Sequence, residues 1–264
     1  MMNSFFVTLF TGSTDLFART GYLNHREDIL SSSPPYNLRE LIILPGNSAC
    51  TAVSADSAEE EAERSIVLLQ KLMKRALYLN RCIITGPLIW REQKGFMRKR
   101  TFFLDETGEI SAYYDQCHLP EESSTIFTKG ERAVHFSLWD TRIALLDPHE
   151  LWFPEYTRTM ALSGIDMAIV AGQDLSLSQK NARIISQVRG MENDIFLVFT
   201  SISSEENSEA GWIYSPYGEL ISSRISPDMI RGKITLEISL SRRRKKLMSS
   251  RRPDLYYPLI EMLP

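Results

Sequence analysis

The sequence predicts an α/β fold in which helices cover sheet faces and some strands pair antiparallel. Three observations carry that expectation. Short apolar runs such as Leu41-Ile42-Ile43-Leu44 and Cys82-Ile83-Ile84-Thr85 alternate with longer stretches of helical period. Turn signals such as Asp105-Glu106-Thr107-Gly108 separate neighbouring strand-like segments, as in hairpins. The composition, 43% hydrophobic and 24% charged over 264 residues, is that of a globular chain able to build a core without disulfide or metal staples. No repeat or low-complexity linker divides it, so one domain over residues 1–264 is expected.

Taken in order, residues 5–10 are short, aromatic and β-branched and read as a first strand. Residues 11–40 hold Gly, Ser, Asn and Pro34-Pro35 and read as loop, with a short helix near residues 23–30. A strand over 41–44 stops at Pro45-Gly46-Asn47. A helix follows, with Ser57 and Glu60 at capping-box spacing. Glu59, Glu60, Glu61 and Glu63 crowd its positive end, where the dipole and solvation account for them. Ala62, Ile66, Leu69, Leu72, Met73, Ala76 and Leu77 supply its apolar face. Strands are expected over 82–86, 101–104, 110–114, 134–136, 142–146, 166–171, 195–200 and 232–238. Helices are expected over 155–163 and 178–194, the second with Ile184, Ile185, Val188 and Met191 on one face. Residues 212–215 and 219–223 read as a hairpin around Pro216-Tyr217-Gly218.

Several function classes are set aside by composition. A net charge of −3 gives no reason to expect nucleic acid as a partner. The basic run Arg242-Arg243-Arg244-Lys245-Lys246 has no interleaved aromatic residues and reads as a solvated loop. Cys50, Cys82 and Cys117 are too few and too scattered for a disulfide framework or a zinc site. No apolar stretch reaches the roughly 18 residues of a membrane span, so a soluble cytoplasmic protein is expected. Phosphate-binding glycine loops are absent, and His25, His118, His135 and His149 form no helical metal pair, so no cofactor is expected.

Polar chemistry gathers in residues 147–155, Asp-Pro-His-Glu-Leu-Trp-Phe-Pro-Glu, which follow the apolar strand over 143–146. Loops at strand ends commonly hold sites. His149 and Glu150 there can be an acid/base couple, or part of a turn leading into a helix started by Pro154-Glu155.

The same stretch begins a resemblance. Phe153-Pro154-Glu155, Arg158 and the "ALSGID" of residues 161–166 resemble the nucleophile segment of the nitrilase, or carbon–nitrogen hydrolase, superfamily. "LIILP" at 41–45 is similar to the strand before that family's glutamate. Residues 102–120 resemble its hairpin ending in Tyr-x-Lys-x-His-Leu. Arg189-Gly190-Met191-Glu192-Asn193, "GWIYSPYG" at 211–218 and Arg251-Arg252-Pro253-x-x-Tyr256 match further family segments, in the family's order. The resemblance implies a four-layer α-β-β-α sandwich, commonly paired into a two-fold dimer. It also implies a Glu base, an oxyanion-steadying Lys and a Cys nucleophile, since a thiolate must lose a proton and the tetrahedral intermediate carries charge.

Carried over residue by residue, those three roles fall on Gly46, Gln116 and Pro148. Glycine offers no base, glutamine no cation and proline no nucleophile. Shifting the register by one places Asp147 or His149 at the last position, and neither is a cysteine. Cys117 is a candidate relocated nucleophile, although strand alternation points it away from its neighbour's face. Glu121 or Glu122 stands where the family often keeps a second acid, and Arg98-Lys99-Arg100 replaces its usual mid-strand Asn. Three readings stay open. The chain is a non-catalytic nitrilase-like protein that binds a small ligand or acts as a scaffold. It is an enzyme with re-purposed chemistry on an amide or carbonyl compound, using His149 and Glu150. Or it is a partner subunit for an active homologue, with Trp152, Phe153 and Tyr156 near the interface.

Overall fold

The computed structural model describes residues 3–11, 39–46, 55–92, 95–172, 177–202, 210–226, 229–256 and 259. The helix expected near residues 23–30 lies outside them. The strands are β1 (Asn3–Phe10), β2 (Glu40–Ile43), β3 (Cys82–Arg91), β4 (Met97–Leu104), β5 (Ile110–Asp115), β6 (His135–Leu138), β7 (Thr141–Leu146), β8 (Met167–Ala171), β9 (Phe196–Thr200), β10 (Gly211–Tyr214), β11 (Ser222–Ser226) and β12 (Met229–Leu236). The helices are α1 (Ala55–Leu79), α2 (Glu121–Ser124), α3 (Pro154–Leu162), α4 (Gln179–Asn193) and α5 (Ile238–Ser249).

One sheet runs β11-β12-β1-β2-β3-β4-β5 and the other β10-β9-β8-β7-β6. β1, β2 and β3 are parallel, as are β7, β8 and β9, and antiparallel strands flank each set. Strand alternation explains why the apolar runs are unbroken. Leu41 and Ile43 face inward against Ile143 and Leu145 of the other sheet, in a core shared by both. Ile42 and Leu44 face outward onto Leu68, Leu69, Leu72 and Ala76 of α1. Ala144 and Leu146 face outward on the other sheet, into a core with Met160 of α3 and Ala182 of α4. The result is the four-layer α-β-β-α sandwich.

The structure corrects several expectations. Ser57 lies within the first turn of α1, which spans Ala55–Leu79, and not before it. Ile66 and Leu77 are exposed, because the sheet-facing stripe of α1 runs through Ala62, Ser65, Leu69, Leu72 and Ala76. On α4 the buried residues are Ala182, Ser186, Gly190 and Asn193. These small side chains let the helix sit close to β9: a Cβ on Gly190 would lie 3.4 Å from that of Leu197. Ile184, Val188 and Met191 consequently face out. The segments over 212–215 and 219–223 are not a hairpin within one sheet. β10 pairs with β9, whereas β11 pairs with β12 in the other sheet, and a single bridge, Tyr214 to Leu220, joins them before the chain crosses over.

The basic run is helical, in α5, and not a loop. Arg243 pairs with buried Asp194 and stacks 3.9 Å over Tyr217. Arg244 pairs with Asp166 at 2.8 Å. Two of the five cations therefore fasten α5 to the five-stranded sheet. No described helix is long and apolar enough to cross a membrane.

Candidate functional site

The parallel strands β2 and β7 end at the same edge of the sandwich, where the loops after them meet. Gly46 stands just past β2 with φ +89°. A Cβ there would lie 2.7 Å from Pro87 Cδ and 3.0 Å from the Pro87 carbonyl oxygen. Pro87 is carried into this spot by a bulge in β3, whose register shifts between Ile84 and Pro87. Across the same proline ring lies Gly172, past β8, whose Cβ would meet Pro148 Cδ at 3.0 Å and Pro87 Cγ at 3.2 Å. Gly46 and Gly172 thus both abut Pro87, and Gly172 also abuts Pro148. What meets there is proline ring and glycine backbone.

Glu150 holds the adjoining loops. Pro148 opens a 3-10 turn over Pro148–Trp152, capped by Asp147, whose side chain accepts from the His149 N–H at 3.0 Å. Glu150 closes the reciprocal half of this capping box, accepting from the Asp147 N–H at 2.9 Å. Its other oxygen accepts from the N–H groups of Cys117 (2.9 Å) and His118 (3.2 Å), and the Tyr114 hydroxyl donates to the carboxylate as well. The side chain is completely buried. Burial and the neighbouring Glu150 charge push the Tyr114 phenol well above its ordinary range, so it stays a donor. This carboxylate ties the end of β5 to the turn after β7, and so ties Gln116 to Pro148 through their chain neighbours.

His149 and Glu150 diverge. Consecutive residues of a 3-10 helix point about 120° apart. His149 meets the edge of Phe153 at 5.7 Å between centroids. The histidine beside Glu150 is His118, with Nδ1 at 3.4 Å, stacked on Phe153 at 4.5 Å and edge-on to Tyr156 at 4.8 Å.

Gln116 is buried, and its side-chain amide donates to the His118 carbonyl at 2.9 Å. Its Oε1 has no hydrogen-bond partner. Directly across the strand pair is Lys99, whose carbonyl accepts from the Gln116 N–H at 3.0 Å. Opposed residues of antiparallel strands share a face. The Lys99 ammonium, in a residue only 8% exposed, donates to Ser123 Oγ at 3.2 Å and lies 5.2 Å from the centre of the Phe127 ring. No described carboxylate lies within 4.0 Å of it. Arg98 and Arg100, on the opposite face of β4, pair instead with Glu92 and Asp115.

Glu121 and Glu122 are exposed on α2 and take no part in this buried cluster. Cys117 is half-buried; its thiol points to the Asp115 and Arg132 carbonyls at 3.5 and 3.3 Å. Burial, then the nearby Glu150 charge, push its pKa up. A nucleophile needs the opposite shift. Alkylation of Cys117 by iodoacetamide at pH 8 is therefore expected to be slower than that of free cysteine, and to rise only as pH passes beyond the ordinary thiol range. Peptide mapping by mass spectrometry checks this, and rapid labelling at pH 7 would contradict it.

Among the described residues no group of three or more His, Cys, Asp and Glu could hold a metal ion. Pro87 and Gly172 went unrecognised in the sequence, and Lys99 figured there only within the basic Arg98-Lys99-Arg100 stretch. For Lys99 a signal existed: Arg98, Lys99 and Arg100 alternate faces, so the middle cation alone points inward with Phe103. For Pro87 and Gly172 there was none, because their meeting depends on a bulge and on two different sheets.

Known proteins share this architecture. A carbon-nitrogen hydrolase from Helicobacter pylori G27 superimposes with a TM-score of 0.80 at 17% identity, over 98% of this chain and 99% of that one. Saccharomyces cerevisiae Nit3, a member of branch 10 of the nitrilase superfamily, does so at 0.74 and 13% identity, over 96% and 97%. An amidase from Nesterenkonia sp. gives 0.75 and 17%, over 98% of each chain. At such identities these likenesses establish the fold. No curated protein matches the chain by sequence. The sequence model of the carbon-nitrogen hydrolase family matches residues 29–243. With that match over most of its length, this chain belongs to the carbon-nitrogen hydrolase family.

Proposed function

We propose that this chain is a carbon–nitrogen hydrolase-fold protein that does not hydrolyse amides or nitriles and acts as a ligand-binding, dimeric subunit. The observation that carries the reading is the meeting of Gly46, Pro87 and Pro148. The positions that the family resemblance assigns to base and nucleophile hold a glycine at positive φ, packed against the Pro87 ring, and a proline. A side chain at Gly46 has neither the backbone conformation nor the space it needs. His149 and Glu150 do not supply a substitute, since Glu150 is saturated by backbone and phenol donors.

Lys99 and Gln116 support a retained ligand. A buried ammonium with two unused N–H groups, and on the same face of the strand pair a buried amide oxygen with no donor, leave polar capacity that a small bound group can satisfy. The test is a purified, metal-free sample incubated with primary amides and nitriles, because amidases are among its structural neighbours. No turnover and no acyl adduct by intact-mass spectrometry are expected. Turnover that Lys99→Met abolishes would overturn the reading.

The dimer rests on Ile184, Val188 and Met191, which are 51%, 44% and 47% exposed at i, i+4, i+7 spacing on α4. An apolar stripe of this kind marks an association surface. Val188→Asp is expected to convert the protein from dimer to monomer in sedimentation experiments, leaving its circular dichroism unchanged. A wild-type chain that sediments as a monomer would remove the homodimer from the proposal.

A further inference from the structure

Across β3, β4 and β5 one inward-facing row holds Ile89, Lys99 and Gln116 side by side. Ile89 is the registered partner of Lys99, and the Gln116 N–H donates to the Lys99 carbonyl at 3.0 Å. Lys99 is 8% exposed and Gln116 3%. The chain after α2 runs beside this row. The Thr128 N–H donates to the Met97 carbonyl at 2.8 Å and the Gly130 N–H to the Gln116 carbonyl at 2.7 Å. Phe127 joins Ala62 and Ile89 in a small apolar cluster, so the surroundings of the ammonium are weakly polar.

Two polar groups in the row are incompletely matched. An ammonium has three N–H donors. One of those on Lys99 goes to Ser123 Oγ at 3.2 Å, the charge faces the Phe127 ring at 5.2 Å, and no described carboxylate lies within 4.0 Å. Gln116 Oε1 has no hydrogen-bond partner, while the NH2 end of the same amide is turned to the His118 carbonyl. The two groups share a face but do not bond each other. Opposed side chains leave their strands about 4.5–5.5 Å apart at Cβ, so one small molecule can reach both. A water molecule can bridge two such groups but brings no charge, and a buried ammonium without a counter-ion is costly. The neighbouring cations follow that rule, since Arg98 and Arg100 both pair with Glu92 and Asp115.

We infer that Lys99 and Gln116 together bind a small 2-hydroxy carboxylate. The inference rests on the ligand-binding reading above and names the class of ligand. The carboxylate accepts from the Lys99 ammonium and balances its charge. The hydroxyl on the adjacent carbon donates to Gln116 Oε1. Each simpler relative fails on one count. A plain carboxylate leaves Oε1 without a donor. A hydroxyamide brings no charge. A 2-amino acid brings a donor but also an ammonium, which repels Lys99 at short range in weakly polar surroundings.

Titration calorimetry on the full chain with L-lactate, propionate, lactamide and L-alanine tests this. Lactate is expected to bind saturably, one per chain. Propionate should be about three- to tenfold weaker, the worth of one neutral hydrogen bond, with lactamide and alanine silent at the same concentrations. Lys99→Met should weaken lactate about tenfold or more, the scale of a charged hydrogen bond. Gln116→Met should bring lactate down to the affinity of propionate and leave propionate unchanged, a split that lost packing alone does not produce. The order of the four compounds on the wild-type chain decides the matter should either variant fail to fold by circular dichroism. Lactate no tighter than propionate, or unweakened in K99M, would overturn the proposal. Alanine or lactamide binding best, and lost in K99M, would overturn the hydroxy-acid assignment while the ligand-binding reading stands. Silence of all four would overturn the assignment too, and a denatured extract of the purified chain that then held no small molecule would take the ligand-binding reading with it.

Discussion

Glu150→Ala is expected to lower the unfolding free energy by about 3–5 kcal/mol, the cost of removing one side of a buried charged cluster. The physical source is specific. The substitution strands the N–H groups of Cys117, His118 and Asp147 and the Tyr114 hydroxyl, all of which converge on this buried carboxylate. It also leaves a cavity in a close-packed junction. Glu150→Gln keeps the shape but turns an NH2 toward groups that are themselves donors, so an intermediate loss is expected. Urea denaturation followed by fluorescence measures both. If Glu150→Ala unfolds at the wild-type midpoint, the carboxylate does not hold the two loops together. A loss of hydrolytic activity without loss of stability would instead return Glu150 to a catalytic role.

Gly46→Glu is expected to destabilise by about 2–5 kcal/mol. Left-handed backbone costs a non-glycine residue about 1–2 kcal/mol. Forcing a Cβ to within 2.7 Å of Pro87 Cδ adds an overpacking cost of about 1–3 kcal/mol. For the same reason, installing Glu, Lys and Cys together at Gly46, Gln116 and Pro148 is expected to give no hydrolysis. Adding Pro87→Ala to Gly46→Glu removes the ring carbons and should recover some of the packing part of the loss, while the Pro87 carbonyl contact and the backbone part remain. Equal stability of Gly46→Glu and wild type in denaturant titrations would show that the site has room for a side chain. The proposal that Gly46 cannot be replaced by a base would then fail.

The sheets and their order followed from local pattern. Runs such as Leu41–Leu44 and Ile143–Leu146 are apolar at every position because both faces of their strands are buried, and that pattern is written in consecutive residues. The ordered family segments, from "LIILP" to Arg251-Arg252-Pro253, identified the family, and the identities at Gly46, Gln116 and Pro148 are facts of sequence. Faces of helices were harder. Both α1 and α4 carry more apolar residues than one sheet can cover, and the side that faces inward is chosen by closeness of approach. On α4 the small residues Ala182, Ser186 and Gly190 won that place, leaving Ile184, Val188 and Met191 outside.

What the sequence by itself determined was therefore the layered fold and which residue types stand at the three positions that the resemblance assigns to base, cation and nucleophile, since both depend on the order of residues along the chain. Only the tertiary structure decided what those residues do. His149 and Glu150 are neighbours in sequence but part company on a 3-10 turn. Glu150 finds His118 and the backbone of Cys117, more than thirty residues away. Pro87 enters between Gly46 and Gly172 because a bulge in one sheet and a strand end of the other bring them within van der Waals reach. Such meetings arise from packing two sheets face to face, and no local pattern in either strand encodes the distance between them.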